Sequence, residues 1–136
     1  MLPAMTTTTQ VLFPVLRYRD PHAAIAWLEE TLGFERKAVH AGDDGTVQHA
    51  ELGFRGNLVM VGTASDPSQG GYAAIAKPPG SSSVYVVVDD VDALHDSVVA
   101  AGGDVAMPLT DQDYGSRDFV VRDPEGNLWS FGTYAP

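Results

Sequence analysis

The chain has no cysteine, few basic residues and no long apolar run, and each absence removes a class of function. Without cysteine there is no disulfide framework, no thiolate nucleophile and no sulfur-based zinc site. Eight basic residues against 18 acidic ones leave a net charge of −10, which argues against nucleic acid and membrane surfaces as partners. No apolar run approaches the ~20 residues that cross a bilayer. The threonine-rich start, Met1 to Gln10, lacks the basic and apolar regions of an export signal. A cytoplasmic protein is the expectation. Ser81-Ser82-Ser83 has no Gly-x-Ser-x-Gly context, and neither Gly70-Gly71 nor Pro79-Gly80 leads into the Lys-Ser or Lys-Thr of a phosphate loop.

What is present is an internal repeat. Gly56-Asn57-Leu58-Val59-Met60-Val61-Gly62-Thr63 returns seventy residues later as Gly126-Asn127-Leu128-Trp129-Ser130-Phe131-Gly132-Thr133, and the same offset lays Asp20-Pro21-His22-Ala23 over Asp90-Val91-Asp92-Ala93. A chain of 136 residues is short for two independent cores, so the copies read as halves of one fold. Corresponding positions are then expected to face each other across a shared cavity.

Each half reads as βαβββ. Asp20 as N-cap, Pro21 at the first helical position and Gly33 as stop frame a helix whose Ala24, Ile25, Leu28 and Leu32 share one face. Strands are expected over 11–17, 34–40, 47–54 and 58–64, then over 84–88, 104–107, 117–122 and 128–134, with a second helix over 91–101. The organisation that follows is a flexible tail over 1–10, a first module over 11–64, a Gly/Pro/Ser-rich linker or flap over 65–83 and a second module over 84–136. Tyr72 and Ile75 make the flap a candidate lid. The fold class is α+β, two βαβββ modules forming a curved mixed sheet cup with helices on the outer face.

Side chains alternate along a strand, so the face that does not meet the helix lines the cup. Val84, Val86 and Val88 suit the helix, which turns Ser83, Tyr85 and Val87 inward; the offset adds Phe13, Val15 and Arg17. Trp129 and Phe131 pack on the helix, leaving Ser130 and, by the offset, Met60 inward. Ala50 and Leu52 belong to the core provided that the first hairpin is one residue tighter than Asp123-Pro124-Glu125-Gly126, which matches them to Phe119 and Val121. His49 and Glu51 then share the inner face, as a general base and its orienting carboxylate do; two polar residues of a solvated strand share a face in the same way. Arg17 and Arg117 are candidates for an anionic ligand group, with Asp20 or Asp118 as the simpler partners. His22 and His95 read as surface residues, and His40 precedes the Gly42-Asp43-Asp44-Gly45 turn.

The doubled βαβββ plan, the Asp-x-x-Ala helix starts, and Tyr114-Gly115-Ser116-Arg117-Asp118-Phe119 leading into Arg122-Asp123-Pro124-Glu125-Gly126-Asn127-Leu128-Trp129 together resemble the vicinal oxygen chelate superfamily. Glyoxalase I, bleomycin-resistance proteins, fosfomycin-resistance enzymes and extradiol dioxygenases make up that group. The resemblance runs from about Val11 to Tyr134. It implies four inward metal-ligand positions, which here hold Phe13, Met60, Ser83 and Ser130. A divalent ion needs carboxylates or imidazoles converging at about 2.0–2.6 Å, and none of these four supplies one.

The chain therefore resembles the metal-free bleomycin-resistance branch, which implies antibiotic resistance by drug sequestration, a homodimer, no cofactor and no bound metal. Phe13, Met60, Tyr85 and Tyr114 would hold a planar or aromatic small molecule, and Ser83, Ser130 and Asp118 would orient it. Phe13 and Met60 are equally the kind of apolar strand residue that only fills a core. The alternative is a lyase or isomerase, using Glu51 and His49 for metal-independent proton transfer or an atypical metal site.

Overall fold

Asp20 opens the first helix as its sequence predicts: its carboxylate accepts from the Ala23 amide at 3.1 Å, and Pro21 follows at the first helical position. A computed structural model describes residues 10–136, so all but the last residue of the expected tail lies outside the described residues. The first module is β1 (Val15–Tyr18), α1 (Pro21–Leu32), β2 (Glu35–Ala41), β3 (Val47–Phe54) and β4 (Asn57–Thr63). A short 3-10 turn, Pro67–Gln69, and the single-turn helix α2 (Tyr72–Ile75) cross to the second module. That module is β5 (Ser83–Val87), α3 (Val91–Ala100), β6 (Asp104–Asp111), β7 (Arg117–Arg122) and β8 (Leu128–Gly132).

Two separate four-stranded sheets result, ordered β1-β4-β3-β2 and β5-β8-β7-β6, each with one parallel pair, and they do not close into one. The fold is α+β, built from two βαβββ modules. Two strand expectations change. The first strand starts at Val15 rather than residue 11, since Pro14 has no amide hydrogen to extend the pairing. The strand expected over 104–107 continues to Asp111 through Pro108, which an edge strand tolerates because its outer donors face solvent.

The hairpins explain the phase of the repeat. In the first, Phe54 pairs with Asn57 around Arg55 and Gly56, whose φ values of 50° and 85° make the tight turn that suits strand twist. In the second, Arg122 pairs with Leu128 around a longer loop. Leu52 opposite Val59 and Val121 opposite Trp129 differ from the strict seventy-residue offset by one residue. Ala50 and Leu52 are consequently buried in the first module, and Phe119 and Val121 in the second.

One hydrophobic core serves both modules. Leu16, Tyr18, Leu28 and Leu52 belong to the same buried cluster as Phe119, Val121, Trp129 and Phe131. Phe34 meets Trp129 edge-on at 5.5 Å, and Phe54 meets Phe131 at 6.2 Å. Because alternation sends these residues to the shared core, the other face of each sheet points away from it. Val15, at the start of β1, stays 44% exposed and Tyr85, in the middle of β5, 42% exposed. This corrects the expectation that corresponding inward positions of the two halves face each other within the chain: what meets within the chain is the helix-bearing faces.

Candidate functional site

Each open face inherits its residues from strand alternation, and the two differ in chemistry. On the first, Arg17 pairs with Gly62 in register while Val15 pairs with Met60, and Met60 pairs in turn with Glu51 on β3. A cavity of about 310 Å³ opens over this face, lined among others by Val15, Arg17, His49, Met60 and Tyr72. Tyr72 reaches it from the flap.

His49 and Glu51 lie together here, Nε2 to Oε2 at 2.8 Å, both partly exposed. A carboxylate only accepts, so Nε2 carries the hydrogen and Nδ1 is left as the acceptor of a neutral ring. His40 stacks on His49 with ring centres 6.2 Å apart. Arg17 spreads over Gly62, where an added Cβ would stand 3.2 Å from Nη1. Its Nη1 reaches the Thr63 carbonyl at 3.5 Å, and its buried Nε has no hydrogen-bond partner. Arg17 therefore does not pair with Asp20. Arg117 does not pair with Asp118 either: its guanidinium meets Asp92 at 2.7 Å and Asp111 at 3.2 Å.

On the second face, Tyr85 pairs in register with Ser130 and donates its hydroxyl to the Tyr134 carbonyl at 2.7 Å. The ring crosses Gly132, where a Cβ would stand 2.6 Å from Tyr85 Oη and 3.0 Å from Asp118 Cβ. Asp118 is 7% exposed and accepts from Gln112 Nε2 at 3.0 Å and the Tyr114 hydroxyl at 3.5 Å. Desolvation and the Asp118 charge hold the Tyr114 phenol above its ordinary value. Tyr114 and Tyr134 meet edge-on at 6.0 Å.

Tyr85, Tyr114, Asp118 and Ser130 are thus gathered on one face, and His49, Glu51 and Met60 on the other. Phe13 and Ser83 join neither group closely: Phe13 is half-buried ahead of β1, Ser83 opens β5 exposed, and neither lines the cavity at Met60. Tyr134 and Gln112 were not anticipated; Gly62 and Gly132, inward by alternation and matched by the repeat offset, seat the Arg17 and Tyr85 side chains. His95, expected at the surface, is half-buried against the edge of Phe119 at 5.2 Å.

The inherited metal-ligand positions do not fit an ion. A phenyl ring, a thioether and two hydroxyls offer a hard cation no anionic or imidazole donor. Among the described residues no cluster of three or more His, Asp or Glu is arranged to hold a metal. No helix among them is long and apolar enough to cross a membrane.

Comparison with known proteins agrees with this architecture. TioX from Micromonospora sp. ML1 superposes with a TM-score of 0.76 at 35% identity, covering 92% of this chain and all of that one. The uncharacterized protein Rv0887c of Mycobacterium tuberculosis is 32% identical over 122 residues, 83% of this chain and 72% of that protein. The putative glyoxylase CFP32 of Mycobacterium bovis is 43% identical over 68 residues, which is 42% of this chain and 26% of that protein. Residues 10–131 match the family described as the Glyoxalase/Bleomycin resistance protein/Dioxygenase superfamily, and the chain belongs to it.

Proposed function

We propose that this protein binds a planar or aromatic small molecule without a metal and holds it unconverted, in the manner of bleomycin-resistance proteins. The observation that carries the reading is the exposure of apolar and aromatic strand side chains, Val15 on one open face and Tyr85 on the other. Side chains of this kind normally contribute to a core, and grouped on a sheet face they mark a binding surface. Met60 adds an adaptable thioether beside Val15, and Asp118 and Ser130 add orienting polar groups beside Tyr85. A second copy of the chain, laying its tyrosine face over the Val15–Met60 face, completes the cup as a homodimer.

Equilibrium dialysis against a panel of planar drugs tests this. Saturable binding with the compound recovered intact is the expected result; no binder in the panel, or recovery of a product, overturns it.

The His49–Glu51 contact at 2.8 Å favours a second reading, a metal-independent lyase or isomerase in which Nδ1 of His49 takes a substrate proton while Glu51 holds the ring. His49→Gln separates the two. Under sequestration the ligand is recovered intact from both proteins, whatever the change in affinity, and under catalysis the substitution abolishes turnover while binding persists.

A further inference from the structure

We propose that the first-module cavity contains an oxyanion subsite made by Arg17 and Lys77, so that the planar ligand taken up there bears a carboxylate. The proposal rests on the binding reading above and adds the charge of the ligand. Of the eight basic residues, Arg36, Lys37, Arg117 and Arg122 each find a carboxylate. Among the described residues Arg17, Arg19, Arg55 and Lys77 do not, and of these Arg17 and Lys77 line one recess beside the cavity. They come together where β1 meets the flap, in a recess of about 110 Å³ that Pro78 and Tyr72 also line. That recess shares Val15, Arg17 and Tyr72 with the larger cavity, so an occupant of one reaches the other.

Arg17 is held for a partner it does not have. Its Nε is buried without an acceptor, and the Thr63 carbonyl at 3.5 Å from Nη1 is long for a charged donor. An unmatched charge in this position is costly, and since Nε is closed to solvent a carboxylate would meet the guanidinium end-on, through its terminal nitrogens. Gly62 leaves room for this arrangement, since an added Cβ would stand 3.2 Å from Nη1 and 3.3 Å from the Gln48 carbonyl oxygen. Lys77 supplies a second, movable ammonium from the flap. Val15, Met60 and the Tyr72 ring bound the remaining space as an apolar slot, which suits an aromatic acid.

The test is calorimetric titration of the full chain with 2-naphthoate and with its neutral counterpart 2-naphthamide. The expected result is binding of the acid about tenfold or more tighter than the amide, the size of one charge-assisted bidentate contact. Arg17→Gln is expected to bring the acid down to the amide, Lys77→Gln to weaken the acid only, and Arg17→Lys, which keeps the charge but not the fork, to fall between. Equal affinities for acid and amide, unaltered by Arg17→Gln, would remove the subsite while leaving the planar-ligand reading in place. Cyclohexanecarboxylate binding as tightly as 2-naphthoate would keep the subsite and remove the planar-ligand reading. No binding of any probe overturns both. A changed sedimentation mass in Arg17→Gln, with the acid-to-amide ratio intact, would assign Arg17 to contact between copies and overturn the subsite.

Discussion

The Tyr18 hydroxyl donates to Asp123 Oδ2 at 2.6 Å, joining β1 of the first module to the β7–β8 turn of the second across 105 residues. Asp123 is the hub of that turn. The same oxygen accepts from Asn127 Nδ2 and Trp129 Nε1, and Oδ1 accepts from the amides of Glu125 and Asn127. Glu125 then reaches back, its two carboxylate oxygens accepting from the Arg19 and Asp20 amides at 2.8 Å. Tyr18→Phe removes one donor from a buried carboxylate and is expected to destabilise the chain by about 1–3 kcal/mol. Urea unfolding measures it, and an unchanged midpoint would show that the modules are joined by apolar contact alone.

Alkaline stability should depend on the same residue. Burial, with the Asp123 charge beside it, raises Tyr18 well above the ordinary tyrosine value of 10.0. The unfolded chain releases this proton as pH passes 10 while the folded chain keeps it, so the unfolded state binds fewer protons there and stability falls. Below that pH the contribution is complete. Melting temperature is therefore expected to drop between roughly pH 9.5 and 11, and less steeply in Tyr18→Phe than in the unmodified chain.

The flap ends on the same turn. Ser82 donates its amide to Asn127 Oδ1 at 3.0 Å and accepts from the Leu128 amide at 3.0 Å. Gly80 makes that approach possible: its φ is +84°, and a Cβ there would collide with the Glu125 carbonyl oxygen. Gly80→Ala is expected to cost at least about 1–3 kcal/mol and to expose residues 65–83 to limited proteolysis. Cleavage at the unmodified rate would show that the flap holds without this contact.

Gly132→Ala places a methyl where the Tyr85 ring crosses the sheet. The ring must lift, its bond to the Tyr134 carbonyl must break, and aromatic ligands are expected to bind several-fold more weakly with little change in the core beneath. Dialysis and a thermal melt on the same sample separate the two effects.

Val15→Glu puts a charge on the open first face, away from the buried cluster. If copies pair through this face as proposed, sedimentation is expected to show a dimer for the unmodified chain and a monomer for Val15→Glu, with an unchanged circular dichroism spectrum. A dimer in both would place the contact between copies elsewhere.

Much of the fold was legible because local chemistry and alternation agree. Asp20, Pro21 and Gly33 bound α1 through capping and a left-handed stop, which depend only on neighbouring residues. The burial of Trp129, Phe131, Ala50 and Leu52 follows from period-two patterning once the hairpins are allowed to differ by one residue. Less was legible at the site. His49 and Glu51 share a face by spacing, yet nothing in that spacing indicates whether they meet each other or water, and nothing in the repeat reveals that Arg117 turns to Asp92 on α3.

The amino-acid order by itself determined two βαβββ modules and the phase of their strands, because each follows from residue type and short-range periodicity. The tertiary structure decided which faces meet. Phe34 against Trp129 and Tyr18 against Asp123 lock the helix-bearing sides of the modules together, and that choice depends on the summed apolar area and hydrogen bonds of surfaces far apart in the chain. With the core committed there, Val15 and Tyr85 are left facing outward on separate surfaces, and Arg17 is left without a carboxylate partner.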